Sequence, residues 1–161
     1  MFKPIKESDR EANYRLMADA AKGFFEDETD LIALLSNLSG LIKFYVDDIN
    51  WAGFYLLAGK ELVLGPFQGL PACTRISEGK GVCGLAALEG RTVIVDDVHK
   101  FPGHIACDSA SVSEIVIPFF KGGRVYGVID IDSPSHARFS GLEEKYIGQI
   151  ASLLTAFLDR S

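Results

Sequence analysis

Two pairs of strand-like segments joined by very short turns constrain this chain more than any other feature. Trp51 to Leu57 (WAGFYLL) is aromatic and apolar, and Gly59-Lys60 turns it into Glu61 to Leu64. Ile115 to Phe120 and Arg124 to Ile131 are joined through Lys121-Gly122-Gly123 in the same way. Strands linked by such turns can pair only antiparallel. Pro118 has no N–H to give a ladder, so it predicts an edge or a bulge. Gly65 to Gly81 reads as an irregular loop, Val82 to Leu88 as a short helix of small residues, and Arg91 to Val95 as a short β-branched strand.

Helical periodicity fills both ends. Ser8 with Glu11 predicts a capping box ahead of Tyr14, Met17, Ala18, Ala21 and Phe25. Asp30 or Thr29 caps a second helix with the stripe Leu31, Leu34, Leu35, Leu38, Leu41 and Ile42. Ser140 with Glu143 repeats the box, and a last helix runs to about Leu158. The expected fold is α+β: a central, mostly antiparallel sheet with the terminal helices packed on one face and loops with the short helix on the other.

A length of 161 residues suits one domain, and no repeat or linker interrupts it. The net charge of −6, with no run of Lys or Arg, excludes binding to a phosphate backbone. No apolar stretch reaches membrane-spanning length, and MFKPIKESDR lacks a signal-peptide core, so a cytoplasmic location with reduced thiols is expected. Three cysteines, Cys73, Cys83 and Cys107, form no C-x-x-C pair, and an odd number argues against a static disulfide framework.

Chemistry concentrates in a few places. Phe101 to Glu114 (FPGHIACDSASVSE) is a polar loop by composition, with Cys107 three residues after His104 and directly before Asp108. It reads either as a functional loop or as a surface loop with an incidental thiol. Asp130 and Asp132 are two apart on a strand flanked by Val128, Ile129 and Ile131, so they share one face. They mark either an exposed strand end or a ligand site; the apolar flanks favour the site, because buried carboxylates need partners. Hairpin pairing brings Glu114 level with them. Trp51 and Tyr55 share a face across Gly53. They are core residues, or else the wall of a small-ligand pocket with polar atoms aimed inward and Gly53 leaving room for the ligand. Cys83 lies near a helix N-terminus, where dipole and free N–H groups favour a thiolate. The cysteines suit a cycle in which one attacks and another resolves. A competing reading gives Cys73, Cys83, Cys107 and His104 to zinc, against which the irregular spacing argues. His99 and His136 are expected to face solvent.

Taken in order, INWAGFYL, LVLGPFQGLPACTRI, GKGVCG, FPGHIACDSASVSEIVIP and GVIDIDSP resemble the GAF-domain free methionine-(R)-sulfoxide reductases. The five blocks span about Asn50 to Phe139, and all three family cysteines have counterparts. The resemblance implies a GAF-like fold that binds no cofactor and no metal. It makes Cys107 the catalytic thiol that attacks the sulfoxide sulfur of free methionine (R)-sulfoxide, Cys73 the resolving residue in a disulfide with Cys107, and Cys83 an alternative exchange partner. Thioredoxin is implied as the electron donor. Chemistry adds that the departing oxygen needs a proton, for which Glu114 with Asp132 is the expected source, while Asp130 binds the substrate amino group and Trp51 and Tyr55 enclose the methyl sulfoxide. A Cys73–Cys107 bridge requires Cα atoms within about 7 Å, so mobile loops are expected. The alternative is a non-catalytic GAF sensor for a small ligand. An apolar stripe on a terminal helix leaves room for a homodimer.

Overall fold

The computed structural model describes residues 2–105 and 108–161. Cys107, the expected nucleophile, and Ala106 beside it lie outside the described residues.

Helices α1 (Arg10–Phe24) and α2 (Leu31–Tyr45) come first, then strands β1 (Trp51–Ala58), β2 (Glu61–Gln68) and β3 (Arg75–Ser77). Helix α3 (Gly81–Glu89), strand β4 (Val93–Val95) and a 3₁₀ turn at Val98–Lys100 follow. The long hairpin of β5 (Ser113–Lys121) and β6 (Arg124–Ser133) leads to helix α4 (Gly141–Arg160). The sheet has six strands in the order β3-β2-β1-β6-β5-β4, and every neighbouring pair is antiparallel. Among the described residues no helix is long and apolar enough to cross a membrane.

Strand alternation sorts the core into two layers. Ala52, Phe54, Ile115, Ile117, Phe119, Ile129 and Ile131 pack with the apolar stripes of α1, α2 and α4. The intervening residues Trp51, Tyr55, Val116 and Val128 pack against α3 and its flanking loops. The helical layer on one face and the loops on the other are therefore as the sequence implied.

Three local readings need correction. The cap of α1 is Asp9, whose carboxylate accepts the Ala12 N–H at 2.8 Å. Glu11 is instead drawn to α4, accepting from Tyr146 Oη at 2.8 Å and Lys145 Nζ at 3.2 Å. Strand β2 continues through Gly65 and Pro66 rather than breaking there, because the pairing with β1 shifts between Gly53 and Tyr55, and such a bulge leaves a residue free of the ladder. Within the same presumed loop, Arg75–Ser77 forms β3, too short to carry a periodic signal. Pro118 behaves as expected. It lies past the reach of β4, which pairs only with Glu114 to Val116, and just before a register shift at Phe119/Phe120.

The Ser140–Glu143 capping box is present, and Glu143 does more than cap. Its fully buried carboxylate accepts from Tyr14 Oη at 2.7 Å, Arg138 Nη1 at 2.9 Å, Ser140 N at 2.9 Å and the Arg10 guanidinium. It ties α1, the loop before α4 and α4 together. Burial alone would push this carboxyl up, but the hydrogen bonds from Tyr14, Arg138 and Ser140 outweigh it and hold it down at about 2. Glu143→Ala takes from the largely buried Arg138 its carboxylate partner, leaving it the Asp47 carbonyl and the Tyr14 hydroxyl, and thermal unfolding is expected to report a loss of about 3 kcal/mol.

Candidate active site

The three central strands build the site row by row. Trp51 on β1 stands opposite Asp132 on β6, which stands opposite Glu114 on β5. One row further, Gly53 faces Asp130, which faces Val116. In the third, Tyr55 faces Val128. Period-two alternation then puts Trp51, Tyr55, Glu114, Asp130 and Asp132 on the α3 face together. They line one narrow cleft, bounded by Ala72 and Ile76 from the β2–β3 side, by Lys80 to Cys83 at the start of α3, and by His104, Ile105, Asp108 and Ser111 from the loop.

Electrostatics in the cleft are governed by three carboxylates with too few partners. Glu114 and Asp130 are each only 6% exposed. Burial pushes the Asp130 carboxyl up to about 6, with Cys83 and Glu114 pulling the other way. Glu114 rises well above the ordinary range through burial first, then through repulsion from Asp130 and Asp132. Asp132 rises for the same two reasons, against a hydrogen bond from Ser111. Burial and mutual repulsion therefore favour the protonated form across the cluster, most at Glu114 and Asp132 and least at Asp130. The Asp130 Oδ1 atom is buried without a hydrogen-bond partner.

These groups also set the pH dependence of stability. Their folded values lie above their unfolded ones, so the folded state binds the extra protons and their contribution is lost as pH rises through the raised values, Asp130's at about 6. Glu143 has the opposite sign: its contribution is complete above its unfolded value of about 4.5 and is lost as pH falls towards 2. The melting temperature, followed by circular dichroism, is expected to peak near the unfolded carboxyl values of about 3.8 to 4.5, to fall as pH rises from there through 6, and to fall as pH drops towards 2. A steady climb through pH 8 would contradict these assignments.

The aromatic pair lines the cleft, but not in the way its spacing implied. Trp51 Nε1 donates to Leu70 O at 3.1 Å, and Tyr55 Oη donates to Cys73 O at 2.9 Å. Both polar atoms are spent on the loop that carries Cys73, so the rings alone face the cleft. Gly53 does not leave room for a ligand. A Cβ there would lie 2.3 Å from Phe67 Cβ and 2.7 Å from Trp51 Cη2, so the bare backbone lets Trp51 stack on Phe67 at 5.2 Å and 15°.

Cys83 lies in the first turn of α3, yet its surroundings oppose the thiolate. It is 3% exposed, and its Sγ donates to Glu114 Oε1 at 3.7 Å. Burial and then the carboxylates of Asp130 and Glu114 push the thiol well up, overriding the helix dipole. Cys73 is half-buried on the neighbouring loop, packed against the apolar cluster under α3. Among the described residues, Cys83, Glu114 and Asp130 bring donor atoms within 4.8 Å of one another; the zinc quartet considered from sequence includes Cys107, which lies outside them. His104 lines the cleft with Nδ1 buried and unpartnered, and burial lowers its basicity. His99 and His136 are exposed, as expected.

Sequence reasoning missed several lining residues. Asp108 and Ser111 were legible only as turn formers; in the fold, Asn50 Nδ2 donates to Asp108 Oδ2 at 2.9 Å and Ser111 Oγ at 3.0 Å, fastening the loop to the start of β1. Lys80 carried no signal, because nothing local shows that the start of α3 opens into the cleft.

The GAF domain family model matches residues 38–159. The free methionine-R-sulfoxide reductase of Escherichia coli (strain K12) is 49% identical over 131 residues, covering 81% of this chain and 79% of that protein. The structure of free methionine-R-sulfoxide reductase from Neisseria meningitidis in complex with its substrate is 44% identical with a TM-score of 0.92, covering 97% of this chain and 95% of that one. The Staphylococcus aureus fRMsr complex with substrate is 50% identical with a TM-score of 0.86, covering 91% and 95%. Alignment of this extent and identity, on top of the antiparallel sheet and its α3-covered cleft, means that the chain belongs to the GAF-domain family, in the group that includes the proteins named free methionine-R-sulfoxide reductase.

Proposed function

We propose that this protein reduces free methionine (R)-sulfoxide to methionine, working as a single GAF unit in the cytoplasm. The observation that carries the reading is the cross-strand row Trp51–Asp132–Glu114 with Asp130 beside it: a cleft offering an aromatic wall and three buried carboxyl groups. The relatives' named activity supports it.

The substrate's ammonium group goes to Asp130, whose unpartnered Oδ1 is a waiting acceptor. Its carboxylate meets Lys80 and the free N–H groups of the first turn of α3. The methyl sulfoxide lies against the Trp51 and Tyr55 rings. The Cys107 thiolate attacks sulfur as the sulfoxide oxygen takes a proton from Glu114, which Asp132 helps keep protonated. Methionine leaves and Cys107 becomes a sulfenic acid. Cys73 then attacks that sulfur, water departs, and a Cys73–Cys107 disulfide remains; one sulfoxide and two thiols thus give methionine, one disulfide and water. A thioredoxin-class dithiol returns the two electrons, and Cys83 is a reserve exchange partner. A cleft that binds both charged ends of a free amino acid excludes the same residue inside a peptide.

One equivalent of free methionine (R)-sulfoxide given to the reduced protein should release methionine and leave a disulfide that peptide mass spectrometry places at Cys73–Cys107. The S epimer and peptide-bound sulfoxide should be left nearly untouched. Cys73→Ser should spare this first turnover and block recycling. A bridge to Cys83 instead would move the resolving role, and absence of methionine release would sink the reading.

A further inference from the structure

We infer that Cys83, Glu114 and Asp130 form a binding site for a thiophilic divalent cation of the zinc and cadmium type, occupied in place of substrate. The exclusion of substrate rests on the placement of methionine sulfoxide given above; the cation site does not.

Three observations carry it. Cys83 Sγ and one oxygen from each carboxylate lie within 4.8 Å of one another, and all three residues are buried. Asp130, 94% buried by its 6% exposure, carries one of its oxygens within this group and has its Oδ1 buried with no hydrogen-bond partner. The donors also come from three separate elements, α3, β5 and β6, so backbone that is already packed holds them. One thiolate with two carboxylates suits zinc or cadmium, whereas magnesium and calcium take oxygen alone.

Bond lengths of about 2.3 Å to sulfur and about 2.0–2.2 Å to oxygen put tetrahedral donors about 3.4–3.6 Å apart. The present spread narrows to that by turning the Asp130 and Glu114 carboxyl groups about their terminal torsions, which are broad and cheap. A small ligand such as water completes the tetrahedron. Binding expels the proton of the Cys83 thiol and that of the Glu114 carboxyl, so it strengthens as pH rises. No electron changes hands.

The test uses the C73S/C107S variant, in which Cys83 is the single thiol of the chain. Cadmium titration should raise a thiolate-to-metal charge-transfer band in the ultraviolet with one-to-one stoichiometry. Adding D130N, or separately E114Q, should weaken the binding by at least the roughly tenfold that loss of a supporting contact costs elsewhere; circular dichroism checks that each variant is folded. No band, or a band of equal affinity in both carboxylate variants, overturns the site. Free methionine (R)-sulfoxide, which this variant cannot reduce, should raise the apparent dissociation constant for cadmium. A carboxylate-dependent band that the sulfoxide leaves unmoved upholds the cation site and overturns the placement of substrate on Asp130.

Discussion

Cys107→Ser is expected to abolish methionine release altogether, including the first stoichiometric turnover. The cleft offers no substitute nucleophile. Cys83 is the thiol that reaches it among the described residues, and burial beside Asp130 and Glu114 keeps that thiol protonated. Only the thiolate attacks sulfur at a useful rate. Cys73 lies on the neighbouring loop, held there in part by the Tyr55 hydroxyl on its carbonyl oxygen. A single-turnover assay with excess reduced protein separates the roles: C107S should give no methionine, whereas C73S should give one equivalent and stop. A full equivalent from C107S would remove Cys107 from the mechanism.

Glu114→Gln is expected to lower kcat by about 10²–10⁴, the usual worth of a positioned acid. The amide keeps size and polarity but has no acidic proton. Its neighbours do not compensate equally: the Asp130 carboxyl is raised only to about 6, and Asp132 stands one strand over in the same row. The pH profile adds a readout that packing damage would not give. The native rate should fall as pH rises through the value at which the cluster loses its proton, and the variant's rate should lose that limb. KM should change less than kcat, because the ammonium contact belongs to Asp130. A drop smaller than about tenfold with the pH limb intact would move the proton donor to Asp132.

Much of this was legible in the chain because it is written in local periods. The two hairpins, the Ser140–Glu143 box and the helical stripes depend on spacing within a few residues, and the face shared by Asp130 and Asp132 follows from strand alternation alone. Counting across a three-residue turn puts Glu114 level with Asp130; the two-residue turn actually formed and the register shift at Phe119/Phe120 move its partner to Asp132. The failures share one cause. Asp9 and Ser8 compete for a cap, and Glu11 is claimed by Tyr146 on a helix more than a hundred residues away. Gly53 looked like space for a ligand because Phe67 was assigned to a loop. The N–H of Trp51 and the hydroxyl of Tyr55 read as aimed at a ligand, but Leu70 and Cys73, folded over them, take both.

By itself, then, the sequence determined the antiparallel sheet with its helical and loop-bearing faces, and the residue types that gather on the second of these. Hydrophobic period and turn chemistry act over a few residues, and they suffice for that. Tertiary structure alone decided the chemical state of those residues. Whether a carboxyl is ionised, a thiol activated or an indole N–H engaged depends on burial and on charges brought from other elements. The same Cys83 that a helix N-terminus would activate has its thiol pushed up by burial first, and then by Asp130 and Glu114 from β6 and β5.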